Sequence, residues 1–342
     1  MFLEHFERLR PICPACRVNS ALRIGVVASQ ENGEIVEGSL ICTNAGCQRE
    51  HPVIDGIPVL LADAPGWLAQ QILGVMRRED LSPFTESLLG DLSGAGSGFD
   101  RERGNNGIYA HSHWAADSPS YVPLFDVAMG MLRGAPEGVW LDIGCSLGRG
   151  TFELARRSGQ LAVGLDLNFS MLRMARRIQR TGKVKYAMRR VGLVFDTHEF
   201  EVAGLPTERV SFWCADVNVL PFASGTFDGT IAMNMLDCAG SPLGLLCEMG
   251  RVVKPLGESI LCTPFDWAVG ASAAGAWIGG HSQRSAPAEG SSVEALRQYL
   301  SGVPDIGLTL EAERDDVAWR LRVHERSVTE YAVYFAKLLR RA

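Results

Sequence analysis

The rhythm of apolar positions divides the chain in two. From Val139 onward, short runs in which nearly every residue is apolar alternate with stretches in which apolar residues return every three or four positions. The first kind fits strands buried on both faces, and the second fits helices laid across a sheet. Strands are expected over 139–143, 161–166, 210–216, 229–237 and 259–263, with helices over 151–157, 170–179, 242–253 and 292–300. Two more apolar segments, 308–314 and 331–339, are expected to pair antiparallel and close the sheet, with 319–326 as the loop between them. Strands alternating with helices predict a doubly wound α/β domain. Before Val139 the rhythm differs: 21–27 and 33–41 alternate like ribbon strands, 65–76 and 80–92 suggest short amphipathic helices, 93–98 is a Gly/Ser break, and 122–132 is helical. The expected units are therefore 1–62, a linker over 63–120, and a catalytic-size domain over 121–342.

The strand ends carry the chemistry. The first strand, with Asp142 in its last turn, breaks into Gly144-Cys145-Ser146-Leu147-Gly148-Arg149-Gly150. Gly144 and Gly148 let backbone approach a ligand more closely than a Cβ allows. The spacing does not fit the G-x-G-x-x-G turn that holds a pyrophosphate, and the Asp142 carboxylate repels a phosphate while suiting an amine. The second strand ends in Asp166, 24 residues after Asp142, near the roughly 20-residue spacing of a ribose-binding acid. The third ends in Asp216.

This series resembles class I S-adenosylmethionine-dependent methyltransferases, whose first motif is apolar-Asp-apolar-Gly-x-Gly-x-Gly; here Ser146 replaces the middle glycine. The resemblance implies a Rossmann-like sheet and S-adenosylmethionine as cofactor. It assigns Asp142, Gly144, Cys145, Ser146 and Gly148 to the cofactor turn, Asp166 and Leu167 to the ribose, and Asp216 and Val217 to the adenine. In that family the phrase Leu220-Pro-Phe to Phe227-Asp228 precedes the strand facing the transferable methyl, so Asn234 to Asp237 are expected to border the reaction centre, with Asn234 touching the cofactor. Lys254-Pro-Leu-Gly257 matches the family's stop between helix and fifth strand.

Cys13-Pro-Ala-Cys16 and Cys42-Thr-Asn-Ala-Gly-Cys47 form two close cysteine pairs. Tetrahedral thiolate sites are built from two such knuckles, so a structural zinc on Cys13, Cys16, Cys42 and Cys47 is the economical reading, with His51 able to replace one thiolate. A redox dithiol would need only one pair. A segment of about 60 residues buries too little surface to fold alone, and a metal supplies the deficit. The closing phrase from His51 to Leu61 resembles that of the small zinc-ribbon proteins that activate tRNA and protein methyltransferases, and implies an architectural metal.

Upstream of the first strand, Tyr109-Ala-His-Ser-His-Trp114 gathers two histidines and two large aromatics. Segments here commonly fold over the cofactor in the methyltransferase family, which makes Tyr109 a lid contact and puts His111 and His113 near the acceptor; the alternative is a strand-like alternation burying one histidine. His111, His113 and Asp237 are the candidate general bases, although Asp237 also suits a helix N-cap. Pro264-Phe-Asp266-Trp267 and Trp277-Ile-Gly-Gly280 resemble a passage of the methyltransferase domain in ovothiol-biosynthesis enzymes, which implies an acceptor held by Asp266 and Trp267. The tryptophans also suit a plug between loop and sheet. Arg320, Arg322, His324 and Arg326 alternate, forming either a cationic wall or a solvated strand edge, with Arg320 and His324 as candidate anchors for a substrate carboxylate.

Composition narrows the partners. Net charge is −6, whereas nucleic-acid binders usually carry a basic footprint; the local basic stretch from Arg176 to Lys185 with Arg189-Arg190 leaves RNA open. No apolar run reaches the ~18 residues of a membrane helix, and the start of the chain lacks a secretory apolar core, so a cytoplasmic protein is expected. The leading expectation is methyl transfer to a small-molecule nitrogen, oxygen or sulfur nucleophile, an imidazole among them. The alternatives are an rRNA or tRNA base methyltransferase with an N-terminal zinc module, and a non-catalytic zinc-bearing adaptor.

Overall fold

The computed structural model describes residues 1–18, 21–63, 67, 94–115, 120–281 and 289–342. The helices expected over 65–76 and 80–92 lie, apart from Trp67, outside the described residues.

Helix α1 (Leu3–Leu9) precedes strands β1 (Leu22–Glu31), β2 (Glu34–Cys42), β3 (Glu50–Ile54) and β4 (Ile57–Leu60), an antiparallel ribbon. Its turns are Asn32-Gly33 and Asp55-Gly56, with positive φ at all four residues, the backbone that tight hairpins require. Helix α2 (Gly98–Trp114) and α3 (Tyr121–Gly130) follow. Then come β5 (Trp140–Ile143), α4 (Arg149–Ser158), β6 (Ala162–Asp166), α5 (Phe169–Thr181), the hairpin β7 (Lys183–Val191) with β8 (Val194–Glu201), β9 (Val210–Ala215), β10 (Phe227–Met233), α6 (Pro242–Val252), β11 (Val253–Thr263), α7 (Ser292–Gly302), β12 (Leu308–His324) and β13 (Ser327–Arg340).

One sheet runs β1-β2-β3-β4-β9-β6-β5-β10-β11-β13-β12, parallel from β4 through β11 and antiparallel at both flanks. This is the doubly wound sheet expected from the sequence. Alternate residues of its central strands feed two cores: Leu141, Ile143, Val163, Leu165 and Trp213 enter one, and Trp140, Ala162, Phe212, Cys214 and Ile231 the other. Burial on both faces is why these strands read as unbroken apolar runs. Asn168, Ser241 and Ser291 cap α5, α6 and α7 through their side-chain oxygens.

The structure departs from the sequence reading in four places. First, the ribbon is continuous with the main sheet, because β4 pairs in parallel with β9 (Val59↔Cys214, Leu60↔Ala215), and the buried Glu34 carboxylate meets Arg176 of α5. Second, 109–114 is the end of helix α2 rather than a strand; the helix has no apolar stripe, since it buries Asp100, Arg103, Asn106, His111, Ser112 and His113. Third, β7 and β8 form an insertion between α5 and β9 that packs on α2. Fourth, 319–326 is not a loop: β12 runs to His324 and turns only at Glu325-Arg326, with bulges interrupting the alternation that defines a strand.

Candidate functional site

The carboxyl ends of β5, β6, β9 and β10 converge, as the ligand crevice of an open α/β sheet does. Asp142 on β5 is fully buried; its Oδ2 accepts the Thr151 hydroxyl at 2.7 Å, while its Oδ1 has no partner among the described residues. Burial pushes its carboxyl up to about 7. Gly144 and Gly148 hold φ of +77°, and Ser146 keeps φ +51° without being glycine. The backbone N–H of Ser146 is what uses that geometry, donating to Asp166 Oδ2 at 2.8 Å. Gly150 is required for another reason: a Cβ there would lie 2.3 Å from the Tyr121 hydroxyl. Cys145 is buried in the core behind the turn.

Asp166 and Asp216 end β6 and β9 in the same way. Asn168 N–H donates to Asp166 Oδ1 and Asn218 N–H to Asp216 Oδ1, each at 2.8 Å. These Asx turns fix both carboxylates at the strand ends. Between them lies a cavity of ≈ 340 Å³ lined by Asp166, Leu167, Asn168, Asp216, Val217, Asn218, Met235, Cys238, Ala239, Gly240 and Trp67. Two acids and an apolar floor suit a ribose and an amino-bearing base.

A second group of polar side chains lies just past the end of β10. Asn234 takes a left-handed turn (φ +54°), and its side-chain oxygen lies 3.4 Å from Cys262 Sγ. The 3₁₀ turn Leu236–Cys238 then presents Asp237, which is no helix cap: its Oδ2 accepts the backbone N–H of Asp266 at 2.8 Å, and its Oδ1 is buried without a partner among the described residues. Burial pushes its carboxyl up to about 6. Burial first, and then Cys238, Tyr331, Asp166 and Asp237, raise the phenol of Tyr109 on α2. The phenol of Tyr331 on β13 is raised by burial first and by the charge of Asp266 next. Asp237, Asp266, Tyr109 and Tyr331 thus lie close enough to influence one another.

Residues 141–261 match the family model described as a methyltransferase domain. This stretch of the chain is a methyltransferase domain. Among solved structures, the methyltransferase fold is similar to a chain of the complex between the Haloferax volcanii Trm112 methyltransferase activator and the putative methyltransferase (15% identity, 75% of this chain, 98% of that one, TM-score 0.42). It is also similar to geranyl diphosphate C-methyltransferase from Streptomyces coelicolor A3(2) (14% identity, 64% and 76%, TM-score 0.41) and to the [4+2]-cyclase SpnF (18% identity, 67% and 84%, TM-score 0.43). No curated protein matches the sequence.

The remaining candidate residues fall elsewhere. Residues two apart on a helix face opposite sides, so Tyr109 and His111 diverge. His111 Nδ1 pairs with the Tyr186 hydroxyl at 3.1 Å, against the β7–β8 hairpin. With Ser120, Arg320, Arg322, Val328 and Glu330 it lines a separate cavity of ≈ 420 Å³. His113 stacks on Tyr121 (4.1 Å, 28°) in the core, and burial lowers its imidazole to about 3, keeping it neutral. Trp267 donates to the Ser292 hydroxyl and stacks on Trp277 at 5.9 Å, so it plugs the loop against α7. Arg320 pairs with Glu330 on the exposed strand edge, and His324 accepts the Arg326 N–H within the turn. Sequence reasoning missed Trp67, Cys238 and Tyr331.

At the ribbon, the sulfurs of Cys13, Cys16, Cys42 and Cys47 all lie within 4.8 Å of one another, with Cys13–Cys47 at 3.8 Å and Cys16–Cys42 at 3.6 Å. Tetrahedral zinc with about 2.3 Å bonds sets sulfurs roughly 3.8 Å apart, so the four thiols fit that ion. His51 Nε2 stands 3.4 Å from Cys13 Sγ, beside a set already complete with four sulfurs. No described helix is long and apolar enough to cross a membrane.

Proposed function

We propose that this methyltransferase modifies a small molecule bearing a protic nucleophile, an imidazole or amine nitrogen foremost, with Asp237 as general base. The observation that carries the reading is the buried Asp237 carboxyl after β10, whose Oδ2 accepts the Asp266 N–H while its Oδ1 has no partner among the described residues, and which burial pushes up to about 6. A base tuned close to neutrality is what proton removal from such an acceptor requires. The neighbouring carboxylate Asp266 favours a ligand that donates hydrogen bonds or carries positive charge.

The cofactor fits its residues through the unpartnered Asp142 Oδ1, which suits an amine, and through the Asp166–Asp216 cavity, which suits adenosine. When bound, S-adenosylmethionine supplies an electrophilic methyl for in-line displacement. The protein's part is to align the nucleophile, exclude water and take one proton onto Asp237 Oδ1. The loop likeness around Asp266 and Trp267 to the ovothiol-type domain supports an imidazole acceptor, and the net charge of −6 weighs against RNA. Zinc on the four cysteines is structural in this reading, and the ribbon is an architectural cover.

Incubation of the protein with methyl-labelled cofactor and fractionated extracts tests this. Label is expected in small metabolites with a protic nitrogen; label confined to RNA or protein would overturn the reading. Failure of the protein to bind S-adenosylmethionine in calorimetry would favour the non-catalytic adaptor instead.

A further inference from the structure

We infer that Trp67, delivered from the ribbon side of the molecule, is a wall of the nucleoside site and packs on the adenosine part of the cofactor. The inference rests on the cofactor reading above.

Every other described residue lining the ≈ 340 Å³ cavity comes from the turns after β6, β9 and β10. Trp67 comes from the stretch just beyond β4, and its position there follows from the sheet. The register Leu60↔Ala215 brings the chain out of β4 beside the residue that precedes Asp216. A chain leaving that point can reach the cavity within a few residues. Trp67 N–H donates to the Asp63 carbonyl at 3.2 Å, and the indole Nε1–H donates to the Leu167 carbonyl at 3.2 Å. The indole edge also meets Phe169 at 5.9 Å and 69°. The ring is therefore pinned to the β6–α5 turn, the segment whose first residue is Asp166.

This placement has a chemical meaning. An indole whose only polar atom is already hydrogen-bonded offers an apolar, polarisable surface and nothing else. The same cavity is lined by two fixed carboxylates, suited to ribose hydroxyls and an exocyclic amine and hostile to phosphate. Leu167, 39% exposed beside the indole, is apolar surface that a bound base would cover. Two acids with an aromatic wall describe a purine nucleoside site. The stretch that leaves the ribbon thereby contributes a side chain to the cofactor site.

Calorimetry with S-adenosylhomocysteine on the full chain tests the inference, using Trp67→Ala and Trp67→Phe. Losing a base–aromatic contact is expected to weaken binding roughly ten- to hundredfold in W67A, with W67F retaining most of the affinity. The same fold-loss is expected for methylthioadenosine, which keeps the nucleoside and lacks the amino-acid end. Unliganded melting temperature should be unchanged in W67F, and W67F should lose part of the ligand-induced fluorescence change. Wild-type affinity in W67A, or a loss for S-adenosylhomocysteine that vanishes for methylthioadenosine, overturns the assignment. No binding by the wild type defeats the cofactor reading itself, a separate outcome.

Discussion

At the residue scale, the carboxylates do different work because their surroundings differ. Asp166 and Asp216 are each held by an Asn two positions on, and that Asp-x-Asn repeat is visible in the sequence as Asp166-Leu-Asn168 and Asp216-Val-Asn218. Asp237 has no such turn, and burial raises its carboxyl to about 6 against an ordinary value near 4. Two consequences follow with opposite pH senses. A base must be ionised, so turnover should rise with pH up to about 6 and flatten above it. A carboxyl whose folded value is raised contributes stability that is present below the unfolded value and lost as pH rises through the folded one. Asp237→Asn keeps an acceptor for the Asp266 N–H, so it should remove the acidic limb, cut turnover roughly 10²–10⁴-fold, and leave the fold at least as stable at pH 8. Turnover against pH and a urea midpoint at two pH values check both. An unaltered acidic limb in the variant rules Asp237 out as the base. His111→Ala, by contrast, removes a partner of Tyr186 on the far face of α2, so its effect should appear in stability before turnover.

At the element scale, α2 decides how the active face is closed, and it holds the least legible sequence in the described fold. It carries Tyr109 toward the crevice and packs its other side on β7. Gly107 makes that contact: a Cβ there would sit 2.2 Å from the Ala187 carbonyl oxygen. Gly→Ala inside a helix ordinarily gains up to about 1 kcal/mol, yet here overpacking should reverse the sign and cost on the order of 1–3 kcal/mol. A lower melting temperature for G107A, with weaker cofactor binding as Tyr109 shifts, is the expected result; a stabilised variant would show that α2 does not rest on the hairpin. The elements read correctly from sequence were those whose burial follows a simple period: β5, β6, β9, α5 and α6. The misread ones break that rule for physical reasons. Helix α2 buries ions and amides that pair with the hairpin, as Arg189 does with Asp100 at 2.8 Å. The hairpin itself alternates charged and apolar residues outside the main sheet, where Arg103 and Arg189 both stack on Phe195, at 4.2 and 4.5 Å. Strand β12 hides its length behind bulges. The glycine turn after β5 was legible because glycines and acids mark it locally, whereas Tyr331 and Trp67 come near the strand ends through long-range pairing.

At the scale of the whole molecule, the ribbon and the catalytic sheet behave as one cooperative structure. Strand β4 lies between β3 and β9, so unfolding the ribbon would strip a strand from the edge of β9 and expose Val59, Leu60 and the apolar floor beneath them. The same event would break the Arg17–Glu248 pair (2.9 Å) and the buried Glu34–Arg176 pair, leaving the buried Arg176 without its carboxylate. If the four cysteines hold zinc, the metal's contribution therefore reaches the whole fold. Elemental analysis should find one zinc per chain. Removing it with a chelator, or by Cys42→Ser, should lower the melting temperature of a single unfolding transition, corresponding to several kcal/mol. It should also weaken S-adenosylhomocysteine binding, since β4 positions both the β9 edge beside Asp216 and the segment that brings Trp67 to the cavity. Calorimetric scans of the metal-loaded and metal-free protein separate this from a ribbon that folds by itself. An independent ribbon would give two transitions, of which only the smaller responds to chelation, and cofactor affinity would stay constant.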